Sequence, residues 1–88
     1  MELNFFELDG RYFSSGIVLR GSRASVQIKG DMNVTAERSV NSGESWVAIP
    51  DWSSAVVTEG AFTITGGVCG DMVRIVSDNK PIKAWVRQ

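Results

Sequence analysis

The sequence contains no histidine. That removes the commonest general base and the commonest transition-metal ligand, so neither a metal nor a cofactor is expected. Its one cysteine, Cys69, leaves no intramolecular disulfide to staple the fold and no imidazole to activate the thiol. Small secreted domains with little core usually carry several bridges. Residues 1–7 (MELNFFE) also lack the basic and apolar regions of a secretion leader, so folding in a cytoplasm is expected. No apolar run approaches the roughly 20 residues that a membrane helix requires, and no membrane association is expected. Nor does one sign of charge dominate. Nine basic and ten acidic side chains nearly cancel, which argues against a long-range field that gathers nucleic acid.

What remains is apolar patterning. Of 88 residues, 43% are hydrophobic, enough for one modest core, and residues 1–88 are read as a single domain. A chain this short buries only about two thirds of the surface that it exposes when unfolded. Subunit contacts would therefore be a natural further source of stability.

The patterning has period two. In Arg23-Ala24-Ser25-Val26-Gln27-Ile28-Lys29, alternate residues Ala24, Val26 and Ile28 form a dry side and the others a wet one. Val34 and Ala36 continue the pattern after Gly30-Asp31-Met32, which suggests a hairpin. Further runs occur about every ten residues, as expected of a sandwich or barrel. They are 17–19, 45–49 (stopped by Pro50), a short edge at 55–58, 61–65, 71–77 and 82–87. The last two are read as another hairpin, turning at Asp78-Asn79. No segment has convincing helical character. The expected fold is all-β: a compact antiparallel β-sandwich, or small barrel, of about seven to nine short strands. Its expected core is Leu3, Phe5, Ile17, Leu19, Val26, Ile28, Val34, Trp46, Val47, Ile49, Phe62, Ile64, Val73, Ile75, Ala84 and Val86.

Catalytic residues are hard to find. Asp9, Asp31, Asp51, Asp71 and Asp78 are dispersed among turns, where aspartate hydrogen-bonds its own backbone, and they suggest no paired carboxylates across a cleft. No catalytic residue is assigned. Cys69 reads as a small apolar loop residue. Arg74 lies within an apolar strand, so it either points outward or is partly buried against a carboxylate, with Glu37 or Asp51 the better partners.

The most specific local motif is Ser39-Val40-Asn41-Ser42-Gly43-Glu44-Ser45-Trp46. It resembles the Asp-box, a hairpin turn of sialidase-type and related β-proteins. Ser39, Gly43 and Trp46 match, while Asn41 replaces the aspartate and Ser45 the threonine. The resemblance implies a structural turn and no sialidase activity. Asn41 would accept backbone hydrogen bonds, Gly43 would take positive φ, and Trp46 would anchor the returning strand in the core.

A wider pattern covers most of the chain. Ile17-Val18-Leu19-Arg20-Gly21 and Val26-Gln27-Ile28-Lys29-Gly30 precede that turn, and Gly70-Asp71-Met72-Val73-Arg74-Ile75-Val76 and a cationic last strand follow it. The order resembles small β-sandwich structural proteins of tailed-bacteriophage virions. The resemblance implies a capsid decoration protein or a tail or neck component, assembled in the host bacterial cytoplasm. Its partners would be other virion proteins or further copies of itself in a homo-oligomer.

Two tryptophans are candidate contact residues. If Ala84 and Val86, with Ile82, face the core, then Lys83, Trp85 and Arg87 share the outer face, the arrangement of an interface anchor. The opposite register would bury Trp85. Trp52, just after Pro50 and Asp51, is either a lid over one end of the core or a ligand platform. The alternative function is accordingly a carbohydrate-binding module, with a glycan as partner. Lys80, Lys83, Trp85 and Arg87 also form a fragment of a nucleic-acid stripe, but a charged edge that discourages aggregation explains them more simply.

Overall fold

The computed structural model describes residues 1–88, the side chain of Asp51 excepted. It contains nine strands: β1 (Phe5–Leu8), β2 (Arg11–Ser14), β3 (Ile17–Val18), β4 (Ala24–Lys29), β5 (Met32–Ser39), β6 (Val47–Val56), β7 (Glu59–Ile64), β8 (Met72–Ser77) and β9 (Lys83–Arg87). They form a two-sheet, antiparallel β-sandwich. The wide sheet has the order β1-β2-β8-β5-β6, with β3 following β2 along the same side of β8; the narrow sheet has the order β7-β4-β9. The first residues extend the narrow sheet. Glu2 bridges Trp85, the Leu3 amide donates to the Ala84 carbonyl, and the Val86 amide donates to the Met1 carbonyl (both 2.8 Å).

Period-two alternation builds the core directly. Val34, Ala36, Val73, Ile75 and Ile17 face inward from the wide sheet, and Ala24, Val26, Ile28, Ile64, Ala84 and Val86 from the narrow one; all are at most 3% exposed. Leu3, Leu19, Met32 and Val56 complete it.

Strand pairing departs from the sequence expectation at two connections. β4 and β5 lie in different sheets, and so do β8 and β9; neither pair is a hairpin. Alternation states only which side of a strand is dry. That condition is met equally by a neighbour in the same sheet and by a partner across the core. The β4–β5, β6–β7 and β8–β9 connections all pass between the sheets and gather at one end. There the Gly30 amide donates to the Thr58 carbonyl and the Ile82 amide to the Lys29 carbonyl (both 2.9 Å). Asp78 binds across connections, accepting from the Asn33 backbone amide (2.8 Å) and side-chain amide (3.0 Å). The Asn33 backbone amide, then its side chain, hold the Asp78 carboxyl below its ordinary pKa. True hairpins join β1 to β2 and β5 to β6. The first, absent from the sequence reading, turns on Asp9 and Gly10 with φ of 52° and 80°, the left-handed pair required by a type I′ turn.

β6 is one strand where two segments were expected. It runs through Pro50, and its register slips: two residues' advance on β5, from Thr35 to Glu37, spans five on β6, from Ser53 to Ala48. The excess residues bulge at an edge, where proline's missing amide leaves no ladder bond unmade.

Several expected core residues lie elsewhere. Val47 is 69% exposed because β6 is the margin of the wide sheet and the narrow sheet does not reach it. Ile82 is 81% exposed, in the connection before β9. Phe5, Ile49 and Phe62 are half-buried at the rim of the core. Cys69 is a loop residue, exposed in the β7–β8 connection. Phe13 and Val76 are buried, but on the outer side of the wide sheet, beneath a second cluster described next.

Candidate functional site

The Asp-box-like turn, residues 40–46, joins β5 to β6 and is closed by its own polar side chains. The Ser39 hydroxyl donates to Asn41 Oδ1 (2.7 Å) and accepts from the Gly43 amide (2.9 Å). Asn41 Oδ1 also accepts from the Ser45 amide (3.1 Å), while Asn41 Nδ2 donates to the Ser45 hydroxyl (2.8 Å). Gly43 has φ of 84° and Ser42 of 61°, so two consecutive residues are left-handed. Asn41→Ala is expected to lower stability by about 1–2 kcal/mol, since several turn bonds are lost together. Asn41→Asp should be nearly neutral, because the Ser45 hydroxyl can rotate to donate to the new carboxylate. Urea denaturation of the two variants checks both outcomes.

Trp46 does not enter the sandwich core. The turn folds it over the outer face of the wide sheet, where its ring lies 4.4 Å from the Arg74 guanidinium carbon. Phe13 lies against Arg74 at 4.5 Å. Arg74 thus stacks on two aromatic rings and pairs with Glu37, Nη2 to Oε1 at 2.6 Å and Nε to the same oxygen at 2.7 Å. Of the two expected arrangements, outward-facing and paired, Arg74 adopts both. The pairing with Asp51 concerns a side chain outside those described. A second ion pair, Arg38 to Asp71 at 2.8 Å, ties β5 to the β7–β8 connection. These groups are occupied with one another, and their arrangement is that of a structural cluster.

The outer face of the narrow sheet is different. Register places its wet side chains in three cross-strand rows: Glu59–Lys29–Lys83, Ala61–Gln27–Trp85 and Thr63–Ser25–Arg87. Ala84 and Val86 are buried, so Lys83, Trp85 and Arg87 share the outer face, with Trp85 half-buried there. The Lys83 ammonium is 5.6 Å from the indole. Around Trp85 runs an open groove of about 480 Å³ lined by Gln27, Ala61, Thr63, Ser25, Arg87 and Met1 among others. Beyond its Thr63 end, Arg23 and Arg87 flank Ser25 and Thr63.

Trp52 lies outside that groove. It is half-buried in the β6 bulge and packs edge-on against Phe62 (5.6 Å between centroids), closing the side between β6 and β7. That is the geometry of a lid. Ser25, Gln27, Ala61 and Thr63 were not singled out from sequence as contact residues. Alternation had already put Ser25 and Gln27 on a wet side; it could not say that β4 lies beside β9 and brings them under Trp85.

Among the described residues, no group of three histidine, cysteine, aspartate or glutamate side chains could hold a metal ion, and no helix is long and apolar enough to cross a membrane. The fold defines a small two-sheet β-sandwich with one open, aromatic-centred sheet face. No protein-family model, curated protein or solved structure matches the chain.

Proposed function

We propose that this chain is a non-enzymatic structural protein of a bacteriophage virion, decorating the capsid or forming part of the tail or neck. It works through protein–protein contacts made by the outer face of the β7-β4-β9 sheet. The virion assignment rests on the sequence resemblance. The contact assignment rests on one observation: Trp85, on a face that no element covers among the described residues, lies between Gln27 and Glu2 in a row flanked by two charged or hydroxylated rows. Tryptophan and arginine are over-represented among residues that dominate binding energy, and an exposed indole edge gains when a partner removes its water.

The test is mass spectrometry of purified particles from the phage or prophage that carries the gene, made with wild-type protein and with Trp85→Ala. The wild type is expected in the particle. The variant should be depleted by about 30-fold or more in affinity, the effect of losing a 2 kcal/mol anchor. Its circular dichroism should be unchanged and its melting temperature should fall by only about 5 °C, since Trp85 is half-buried outside the core. Particles without the wild-type chain would overturn the reading, as would equal incorporation of both.

A carbohydrate-binding module is the second reading, favoured by the open groove in which Gln27, Ser25 and Thr63 offer hydrogen-bonding groups beside the Trp85 ring. It predicts a monomer that binds on a glycan array and loses that binding in Trp85→Ala.

A further inference from the structure

Charge is unevenly distributed over this molecule. The outer face of the narrow sheet carries Lys29, Lys83, Arg87 and the adjacent Arg23, against Glu59 and Glu2. The rest of the chain therefore holds five basic and eight acidic residues of the nine and ten in total. Among the described residues the two ion pairs, Arg38–Asp71 and Arg74–Glu37, are both elsewhere, so none of the four cations on this face is spent on an internal salt bridge. Of the face's two carboxylates, Glu59 already accepts a hydrogen bond from the Gln27 side chain.

The layout also matters. The cations lie at both ends of the face, Lys29 and Lys83 at one and Arg23 and Arg87 at the other, with Ala61, Gln27, Trp85 and the bridging Glu2 between. Lys83, Trp85 and Arg87 do interleave cation and aromatic, but two carboxylates share the face and the chain's net charge is −1, so the attraction for a phosphate backbone is small. An aromatic centre with a charged rim is the anatomy of a protein interface.

We infer that this face docks on an acidic protein surface, one that offers an apolar socket for the Trp85 indole ringed by carboxylates, and that it does not pair with the same face of a second copy. A two-fold contact through this face would set four cations and two carboxylates against an identical set, a net repulsion between like-charged surfaces. Any self-association by this face must be heterologous, against a different surface. The inference rests on the contact reading proposed above and adds the chemistry of the partner.

The experiment is a titration of the isotopically labelled full chain followed by NMR, with a short poly-glutamate peptide as one probe and oligothymidylate as the other. Poly-glutamate is expected to shift the amides of Ser25, Gln27 and Thr63 and the Trp85 indole, and the shifts should fade as salt rises from about 50 mM to about 500 mM. The charge reversal Lys83→Glu with Arg87→Glu should weaken binding by about tenfold or more. The control Arg11→Glu with Arg20→Glu changes net charge equally and should leave it nearly unchanged. Shifts spread over the whole surface, equal losses in both double variants, or tighter binding of oligothymidylate would each overturn the inference. The two readings also fail separately. If Trp85→Ala is lost from particles while the Lys83/Arg87 reversal is retained, the contact face stands and the acidic partner falls.

Discussion

Arg74→Ala is expected to lower the unfolding free energy by about 3 kcal/mol, placing it among the more damaging single substitutions in the chain. Arg74 and Glu37 keep only 20% and 17% of their side-chain surface. Removing the cation leaves a largely desolvated carboxylate with no counter-charge, and breaking one partner of a fully buried pair costs about 3–5 kcal/mol. Residual exposure reduces that figure, while loss of the guanidinium between Trp46 and Phe13 adds to it, since each cation–aromatic contact is worth about 0.5–2 kcal/mol. In a domain of this size the melting temperature should fall by more than about 10 °C. Arg74→Lys should recover only part of the loss, because an ammonium cannot stack flat on two rings or present a planar fork to Glu37. Replacing both partners by leucine should be milder than Arg74→Ala alone, since no charge is then stranded. Urea denaturation of these three variants beside the wild type checks the order. If Arg74→Ala melts with the wild type, Arg74 is not a structural centre of the outer cluster.

Ser14→Ala should cost about 2 kcal/mol although it deletes a single oxygen. β8 is paired along one side by two strands in succession, with β2 opposite Val76 and Ser77 and β3 opposite Met72 and Val73. At the break between them the Ile75 amide donates instead to the Ser14 hydroxyl, 2.9 Å away, which in turn donates to the Ser15 carbonyl (3.0 Å). Ser14 is 1% exposed and Ile75 fully buried, so no water can replace the lost acceptor without opening the sheet. Hydrogen exchange reads this directly: the Ile75 amide should be strongly protected in the wild type and lose protection in the variant by more than its neighbours do. Uniform loss across β8 would instead indicate a general fall in stability.

The strand at residues 24–29 is readable because each alternate residue is apolar and each intervening one polar, and the same holds at 34–36; at 84–86 the intervening residue is Trp85, so alternation leaves both registers open. The turn at 40–46 was readable because its bonds are local: Ser39, Asn41, Gly43 and Ser45 satisfy one another within seven residues. The destination of Trp46 was not. An indole after a tight turn can cover either face of the sheet, and the choice was made by Arg74, Met72 and the side-chain-free space at Gly16 and Gly43. Val47 and Ile82 mislead for a related reason: their hydrophobicity is plain, but burial needs a facing element, and two sheets of unequal width leave margins uncovered.

By itself, then, the sequence determined that the chain is all-β, where most strands run, which sides of them are dry and how the Asp-box-like turn closes. These follow from side-chain alternation and from contacts a few residues apart. Only the tertiary structure decided which strands are neighbours and which face one another across the core. It alone set Arg74 opposite Glu37, let Ser14 complete the Ile75 ladder position, and gathered Trp85, Gln27 and four cations on one face. Those relations join residues tens of positions apart, and period-two patterning carries no information about which distant strand supplies the other half of a contact.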